Sequence, residues 1–418
     1  MAPAKVPVMN STPADPSLID SRTAAWRLLT TLGLVVLESI RDVSVVLPAV
    51  QGEFGIGRAD ASLPYTLMMI CLGLGGLWTG KMADKHGLTP VLLLGAAAVC
   101  AGFVGAGMAG SIWLFGLAHG LMGLIGSAAT FAPLMADTAL WWNRRRGMAV
   151  AICASGNYIA GSFWPPVVQY GIDTLGWRST YIGMGMVCGI GMALLALRMR
   201  QRPPLVLAAP SVAAGGAAVA DRSRPFGLAP AHAQTLLFVA GIACCVAMSM
   251  PQVHIVAYCT DLGFGAARGA EMLSLMLASG IVSRLVSGWI CDRIGGIRTL
   301  LLGSALQGIA LLLFLPFDGL VPLYVVSALF GLFQGGIVPS YAIIVREHFA
   351  PQEAGARVGA VIMATLLGMA LGGWMSGWIF DLTGSYKAAF INGIAWNLLN
   401  LSIAGWLFLR LRKLGMQR

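Results

Sequence analysis

The 418-residue sequence predicts an all-α membrane protein, with twelve transmembrane helices in two six-helix bundles related by pseudo-symmetry. Three observations carry that expectation. The chain is 57% hydrophobic and only 11% charged, whereas soluble domains carry about 25% charged residues. Its apolar runs are continuous and close to the ~20 residues that an α-helix needs to cross a hydrocarbon core. Continuous runs also exclude a β-barrel, whose strands alternate. Finally, the second half repeats the first. "GKMADKHG" from Gly80 and "GWICDRIGG" from Gly288 are charged islands between apolar runs, and they begin 208 residues apart.

In order, the apolar runs fall at about 24–50, 63–82, 89–109, 112–135, 148–170 and 178–198. A second set follows at 235–258, 270–291, 299–316, 320–345, 358–380 and 387–409. A polar tail, 1–23, precedes them and a short basic tail, 411–418, follows. The tail at 1–23 lacks the charged n-region and short apolar core of a removable signal peptide. Between the sets lies "QRPPLVLAAPSVAAGGAAVADRSRPFGLAPAHAQ", residues 201–234, rich in Pro, Ala and Gly. This reads as a linker between bundles at 24–200 and 235–410. The repeat extends to "GLIGSAATFAPLM" and "GLFQGGIVPSYAI", with Pro133 and Pro339 206 residues apart.

Basic residues set the expected orientation. With the N-terminus inside, 21 of the 27 lysines and arginines lie on the inner side, four lie outside (Arg58, Arg178, Arg268, Lys387), and Arg41 and Arg284 fall within helices. Both termini are therefore expected in the cytoplasm, in a plasma or bacterial inner membrane. The same asymmetry accounts for the net charge of +10, so no nucleic-acid partner is called for. The eight cysteines lie in or at the ends of apolar runs without metal-ligand spacing, and read as small core residues. The five histidines are scattered. No Walker motif, Gly-x-Ser-x-Gly or Cys-x-x-Cys occurs, so neither an enzyme nor an ATP-driven pump is indicated, and no cofactor or metal is expected.

The repeated islands resemble the loop signature of the major facilitator superfamily, Gly-x-x-x-Asp-[Arg/Lys]-x-Gly, which stands between spans two and three and again between eight and nine. Within that superfamily the chain is similar to monocarboxylate transporters and oxalate/formate exchangers. "VVLPAVQGEFGIGRA", "WWNRRRGMAVAICASGNYIAG", "GWRSTY" and "MPQVHIVAYCTDLGFG" carry that likeness. The resemblance implies the major facilitator fold and secondary transport by alternating access. It also implies a gating role for Gly80, Asp84 and Lys85 and for Gly288, Asp292 and Arg293. A carboxylate at these helix ends can accept charge-assisted hydrogen bonds across the gap between helices. The competing reading is that the islands are topogenic charges only.

Ionisable residues at mid-membrane cost ~2.5–3.5 kcal/mol on insertion scales and mark functional candidates. Arg284 in "ASGIVSRLVSG" is the foremost, and its counterpart 208 residues earlier is Gly76. A guanidinium suits a planar carboxylate, which it holds bidentately. The alternative is a permanent structural pair with Glu38 or Asp42. The resemblance also implies an arginine in span eight. Many animal members place an aspartate one turn earlier, where this chain has Gly280, and exchangers carry a lysine in span eleven that this chain lacks. One fixed charge favours a monoanion. Glu38, Arg41 and Asp42 share one face of span one. Either Glu38 and Arg41 neutralise each other, or Glu38 or Asp42 takes a coupling proton. His254 is a candidate substrate or proton group, against the reading of a hydrogen-bonded core histidine. Asn157, Tyr158, Gln334 and Tyr341 are candidate cavity donors. The expected function is therefore transport of a small organic anion, a monocarboxylate, with or without a proton, by a chain whose two halves suffice as a monomer. A proton-driven exporter of drugs or small metabolites, or an anion exchanger, is the alternative.

Overall fold

A computed structural model describes residues 21–39, 43–142, 146–200 and 224–414. Span one is α1 (Ser21–Glu38) and α2 (Val43–Phe54). Spans two and three are α3 (Arg58–His86) and α4 (Leu88–Gly107). Span four is α5 (Ile112–Leu121), a π-helical turn at Met122–Ser127 and α6 (Ala128–Trp141). Span five is α7 (Arg146–Ala154) and α8 (Gly156–Leu175), and span six is α9 (Trp177–Leu197). The second set is α10 (Pro230–Asp261), α11 (Ala266–Ile294), α12 (Gly296–Leu313), the pair α13 (Leu320–Gln334) and α14 (Ile337–His348), α15 (Pro351–Thr383) and α16 (Tyr386–Lys413). Among the described residues nine helices are long and apolar enough to cross a bilayer, or ten with the pair Arg58–Gly76 and Trp78–His86, bent by 42°. Spans one and five, each divided, complete the twelve.

The outside of the molecule is apolar. Trp113, Leu117, Tyr170, Leu194 and Val321 are all more than 60% exposed. A surface of this kind is stable against lipid and not against water. Inside, helices approach at small residues, as expected where lipid supplies no hydrophobic drive between them. The repeat is visible here. A Cβ on Gly123 would overlap the Met68 carbonyl, and one on Gly331 would overlap that of Met276. Each residue of the second pair lies 208 positions after its counterpart.

The same duplication governs the charged islands. Gly87 joins α3 to α4 with φ 87° and ψ 168°, and Gly295 joins α11 to α12 with φ 82° and ψ 166°. Each is the closing glycine of its Gly-x-x-x-Asp-[Arg/Lys]-x-Gly signature. A single residue reverses the chain, and it does so in a region that is essentially closed to residues with a Cβ.

The last part of the expected linker, 201–234, packs on the second bundle. From Pro225 the chain belongs to the second bundle. Phe226 is fully buried in that bundle's core, with Leu237, Ile344 and Leu411. Arg410 donates from Nε to the Phe226 carbonyl at 2.7 Å. Burial of the phenyl ring offsets its left-handed backbone, φ 57°, and α10 then starts at Pro230, a residue suited to a first helical turn. Residues 201–223 lie outside the described part.

The bundles meet along two repeat-related pairs of spans, two against eleven and five against eight. Inter-bundle hydrogen bonding runs from Arg58, at the end remote from the termini, to Arg284 at mid-depth.

Candidate functional site

Two spans break at the level of Arg284. Span five is interrupted at Ser155, and span ten stops at Gln334 and resumes at Ile337. Such breaks free backbone groups from the helix ladder and are tolerated in a membrane where protein lines a cavity. At the span-ten break, a Cβ on Gly335 would lie 2.6 Å from the Gly280 carbonyl, and the freed Gly335 amide donates to Ser283 Oγ at 3.0 Å. Glycine is thus required for span ten to lie against span eight beside Arg284.

Arg284 reaches from the second bundle into the first. Its Nη1 donates to the Ala154 carbonyl at 3.0 Å, at the break in span five. Its guanidinium stands over the Tyr158 ring, 4.6 Å from the centroid. Nε is buried without a hydrogen-bond partner among the described residues. The expected alternative, a permanent pair with Glu38 or Asp42, is not what its described contacts show for Glu38, and Asp42 lies outside the described residues together with Arg41. Glu38 is 2% exposed and reaches span five through Ser39. Ser39 Oγ lies 3.2 Å from Glu38 Oε2 and 2.6 Å from Asn157 Oδ1, and Asn157 adjoins Tyr158. Arg284 and Tyr158 are therefore in contact, and Glu38 is joined through Ser39 to Asn157, beside Tyr158 in span five.

His254 and Tyr341 do not join them. His254 is fully buried, with Nε2 2.8 Å from the Gly373 carbonyl and Nδ1 3.1 Å from the Tyr386 hydroxyl. Because the Gly373 carbonyl only accepts, Nε2 carries the hydrogen, and Nδ1 accepts from Tyr386. Tyr386 in turn accepts from Arg58 Nη1 at 2.5 Å. His254 is thus the inner end of a hydrogen-bonded chain that begins at Arg58. Tyr341 is buried in the core of the second bundle and donates to Asn400 Oδ1 at 2.6 Å. Gln334 accepts from Gln252 at 2.9 Å, within the second bundle.

The islands sit at the end that carries the termini. Asp84, Lys85, Asp292 and Arg293 are exposed, and a Cβ on Gly80 or Gly288 would meet nothing within 4 Å. Arg293 lies over its own helix's Trp289, 3.7 Å from the ring centroid. The hydrogen bonds expected of Asp84 and Asp292 across the helix gap are not made among the described residues, because in this structure the bundles are joined at the opposite end.

Sequence leaves two arrangements hidden, the first of them at that opposite end. Arg58, which reads as a loop charge, pairs with Asp261 at 2.5 Å and stacks over Phe380 at 4.4 Å. Asp381 accepts from the backbone amides of Arg58 and Ala59, each at 2.8 Å. Within the first bundle, Arg27 and Asp137 form a two-pronged ion pair, 2.8 Å on each prong, with the arginine over Trp141. Arg27 counts towards the inner side in a charge census, and its only sequence signal is an acid in span four.

Residues 28–322 and 281–415 match the family model of the Major Facilitator Superfamily. Among relatives, the chain is 26% identical over 314 residues to monocarboxylate transporter 13 of Bos taurus, covering 74% of this chain and 71% of that one. It is 25% identical over 280 residues to monocarboxylate transporter 11 of Homo sapiens, covering 65% of this chain and 57% of that one. Among solved structures, the nucleoside transporter NupG superposes with a TM-score of 0.73 at 11% identity, covering 92% of this chain and 99% of that one. A bacterial homolog of the human lysosomal transporter Spinster, inward-facing and unoccupied, gives 0.70 at 12% identity over 94% of this chain and 98% of that one. With its twelve spans, its duplicated islands and a family match along nearly its whole length, the chain belongs to the Major Facilitator Superfamily, as a multi-pass membrane transporter similar to the monocarboxylate transporters and not as an enzyme.

Proposed function

We propose that this protein carries a small monocarboxylate across the membrane by alternating access, with Arg284 holding the carboxylate. The observation that carries the reading is the guanidinium of Arg284, at mid-depth between the bundles, with a buried Nε that has no acceptor among the described residues. A buried donor left unpaired costs roughly 1–3 kcal/mol, more when charged, and a carboxylate is the acceptor whose geometry fits a guanidinium edge. The names of the relatives support the same class. A single fixed cation suits a monoanion, whereas a dianion would need a second one.

Glu38, buried in span one and joined to Asn157 through Ser39, is the candidate for a coupled proton, with Asp42 the second candidate. The bias of basic residues supports a reading with both termini in the cytoplasm, in a plasma membrane. In that orientation the structure is the state closed on the outer side. Gly80, Asp84 and Lys85, with Gly288, Asp292 and Arg293, would then engage when the inner side closes. One chain holds both halves of the cycle and suffices as a monomer.

Uptake of labelled lactate, pyruvate, formate and oxalate into proteoliposomes, with and without an inward proton gradient, tests the reading. Uptake of a monoacid by the wild type that Arg284→Ala loses is the expected result, and stimulation by the gradient would assign a proton. Equal uptake by Arg284→Ala would sink the arginine's role. No uptake of any acid by folded wild type would favour an exporter of drugs or other metabolites working through Glu38.

A further inference from the structure

The surroundings of Arg284 contain a wedge that transport of an anion does not by itself require. Gly280 lies one turn before Arg284 on α11. A Cβ there would stand 2.5 Å from Cδ1 of Tyr158 and closer still to Cε1. The tyrosine ring, which comes from the other bundle, fills the place a side chain at 280 would take. From there it lies under the guanidinium, 4.6 Å from centroid to Cζ. On the far side of the plane's edge, Nη1 is committed to the Ala154 carbonyl. Neither Nε nor Nη2 has a hydrogen bond among the described residues.

We propose that Tyr158 is a positioning residue for Arg284. Seated in the space left by Gly280, it fixes the guanidinium by one face so that the Nε–Nη2 edge alone is offered to a carboxylate. The proposal rests on the reading that Arg284 binds substrate. The physical case has three parts. A long arginine side chain without a fixed partner samples many rotamers, and ordering it on binding costs affinity. An aromatic face attracts the cation without neutralising it, so the site remains an anion site. A carboxylate in the place of the ring would have satisfied the guanidinium and competed with the ligand. With one Nη group already used by a backbone carbonyl, the remaining Nε–Nη2 pair matches the two oxygens of a single carboxylate in parallel hydrogen bonds. The ring and the cation belong to different bundles, so the arrangement exists only while spans five and eight are together.

The test is the kinetics of uptake of labelled lactate, pyruvate, formate and oxalate by reconstituted wild type, Tyr158→Phe, Tyr158→Leu, Gly280→Ala, the Tyr158→Leu/Gly280→Ala double variant and Arg284→Ala. Folding is checked by size-exclusion profile and thermal midpoint. Tyr158→Phe keeps the ring and is expected to keep KM within about twofold. Tyr158→Leu is expected to raise KM on the order of tenfold, the scale of a desolvated cation–π contact, with the maximal rate retained. Gly280→Ala evicts the ring and is expected to raise KM similarly. The double variant should be no worse than either single one, since both remove the same contact. A wild-type KM in Tyr158→Leu, or additive effects in the double variant, overturns the positioning role while leaving Arg284 as the binder. If Tyr158→Leu does not fold, Gly280→Ala reads the same contact from the opposite side, and a wild-type KM there overturns the proposal equally. Unchanged uptake by Arg284→Ala overturns the underlying reading instead, and the proposal falls with it.

Discussion

Asp381 of the second bundle caps the helix that Arg58 begins in the first. Its two carboxylate oxygens accept from the Arg58 and Ala59 amides at 2.8 Å each. The residue before them, Gly57, offers no side chain of its own to cap α3, and a Cβ there would stand 2.7 Å from the Asp381 carboxylate. A helix N-terminus favours an acceptor and a negative charge. Here both come from across the bundle interface, so the helix end and the closure of the two halves are stabilised by one group.

Removing that group should open this end. Each hydrogen bond to a charged group contributes about 1.5–3 kcal/mol, so loss of both in Asp381→Ala shifts the closed–open balance by at least tenfold. Ser62, fully buried one turn into α3, reports on this. A cysteine at 62 in a cysteine-free background should react with a membrane-impermeant maleimide several-fold faster when Asp381→Ala is added. Equal rates would show that the cap does not hold the bundles closed.

His254 belongs to the same closure, through Tyr386 and Arg58. His254→Gln should therefore lower the maximal rate of uptake while leaving its pH profile in place, since the imidazole serves as acceptor and donor in a fixed chain. A profile displaced by a unit or more in this variant would instead identify His254 as a proton carrier.

How much of this was legible in the sequence follows from what each feature depends on. The spans and the repeat depend on local composition, and the run lengths and the 208-residue offset located them without any contact being known. The tight turns at Gly87 and Gly295 are local as well, and both islands mark them. Arg284 stood out because a lone cation in an apolar run is costly wherever it faces. The closure does not have this property. Asp381 and Arg58 are 323 residues apart, both lie at helix ends where charge is cheap, and nothing in either segment names the other. His254 and Tyr341 stayed ambiguous in sequence for a related reason. A polar side chain in a span has to find a partner, but the sequence does not say whether that partner is a ligand or, as for Tyr341, another buried side chain such as Asn400.

The pair Arg27 and Asp137 gives a test of stability. Both side chains are less than 10% exposed, and loss of one partner leaves the other charge buried, at a cost of roughly 3–5 kcal/mol. Asp137→Ala should lower the thermal midpoint in detergent markedly. The double variant Arg27→Leu/Asp137→Leu should recover most of the loss, because an apolar pair of similar volume substitutes well for a buried ion pair. If the double variant is as unstable as the single one, packing around Trp141 and not charge governs the site.

The island glycines separate by role. Gly87→Ala and Gly295→Ala force a Cβ into a positive-φ turn and should each cost about 1–3 kcal/mol of stability, with similar drops in thermal midpoint because the two turns share their geometry. Gly80→Ala should leave stability unchanged, since its surroundings are open, yet slow uptake, because the same face has to close in the opposite state. A loss of stability in Gly80→Ala comparable to that in Gly87→Ala would remove the distinction.

The bond from Arg284 to Ala154 also has a mechanical meaning. It lies 18 residues from the start of α11 and 10 from its end, hence ~27 Å and ~15 Å along the helix axis. If the bundles rock about this point, the lever has unequal arms. A rotation of about 15°, typical of rigid-body switching, would sweep the Arg58 end through ~7 Å and the island end through ~4 Å. The two mouths of the same pore would then differ in gape, with the wider one on the side held shut by an ion pair and a borrowed helix cap, and the narrower one on the side lined by bare glycines.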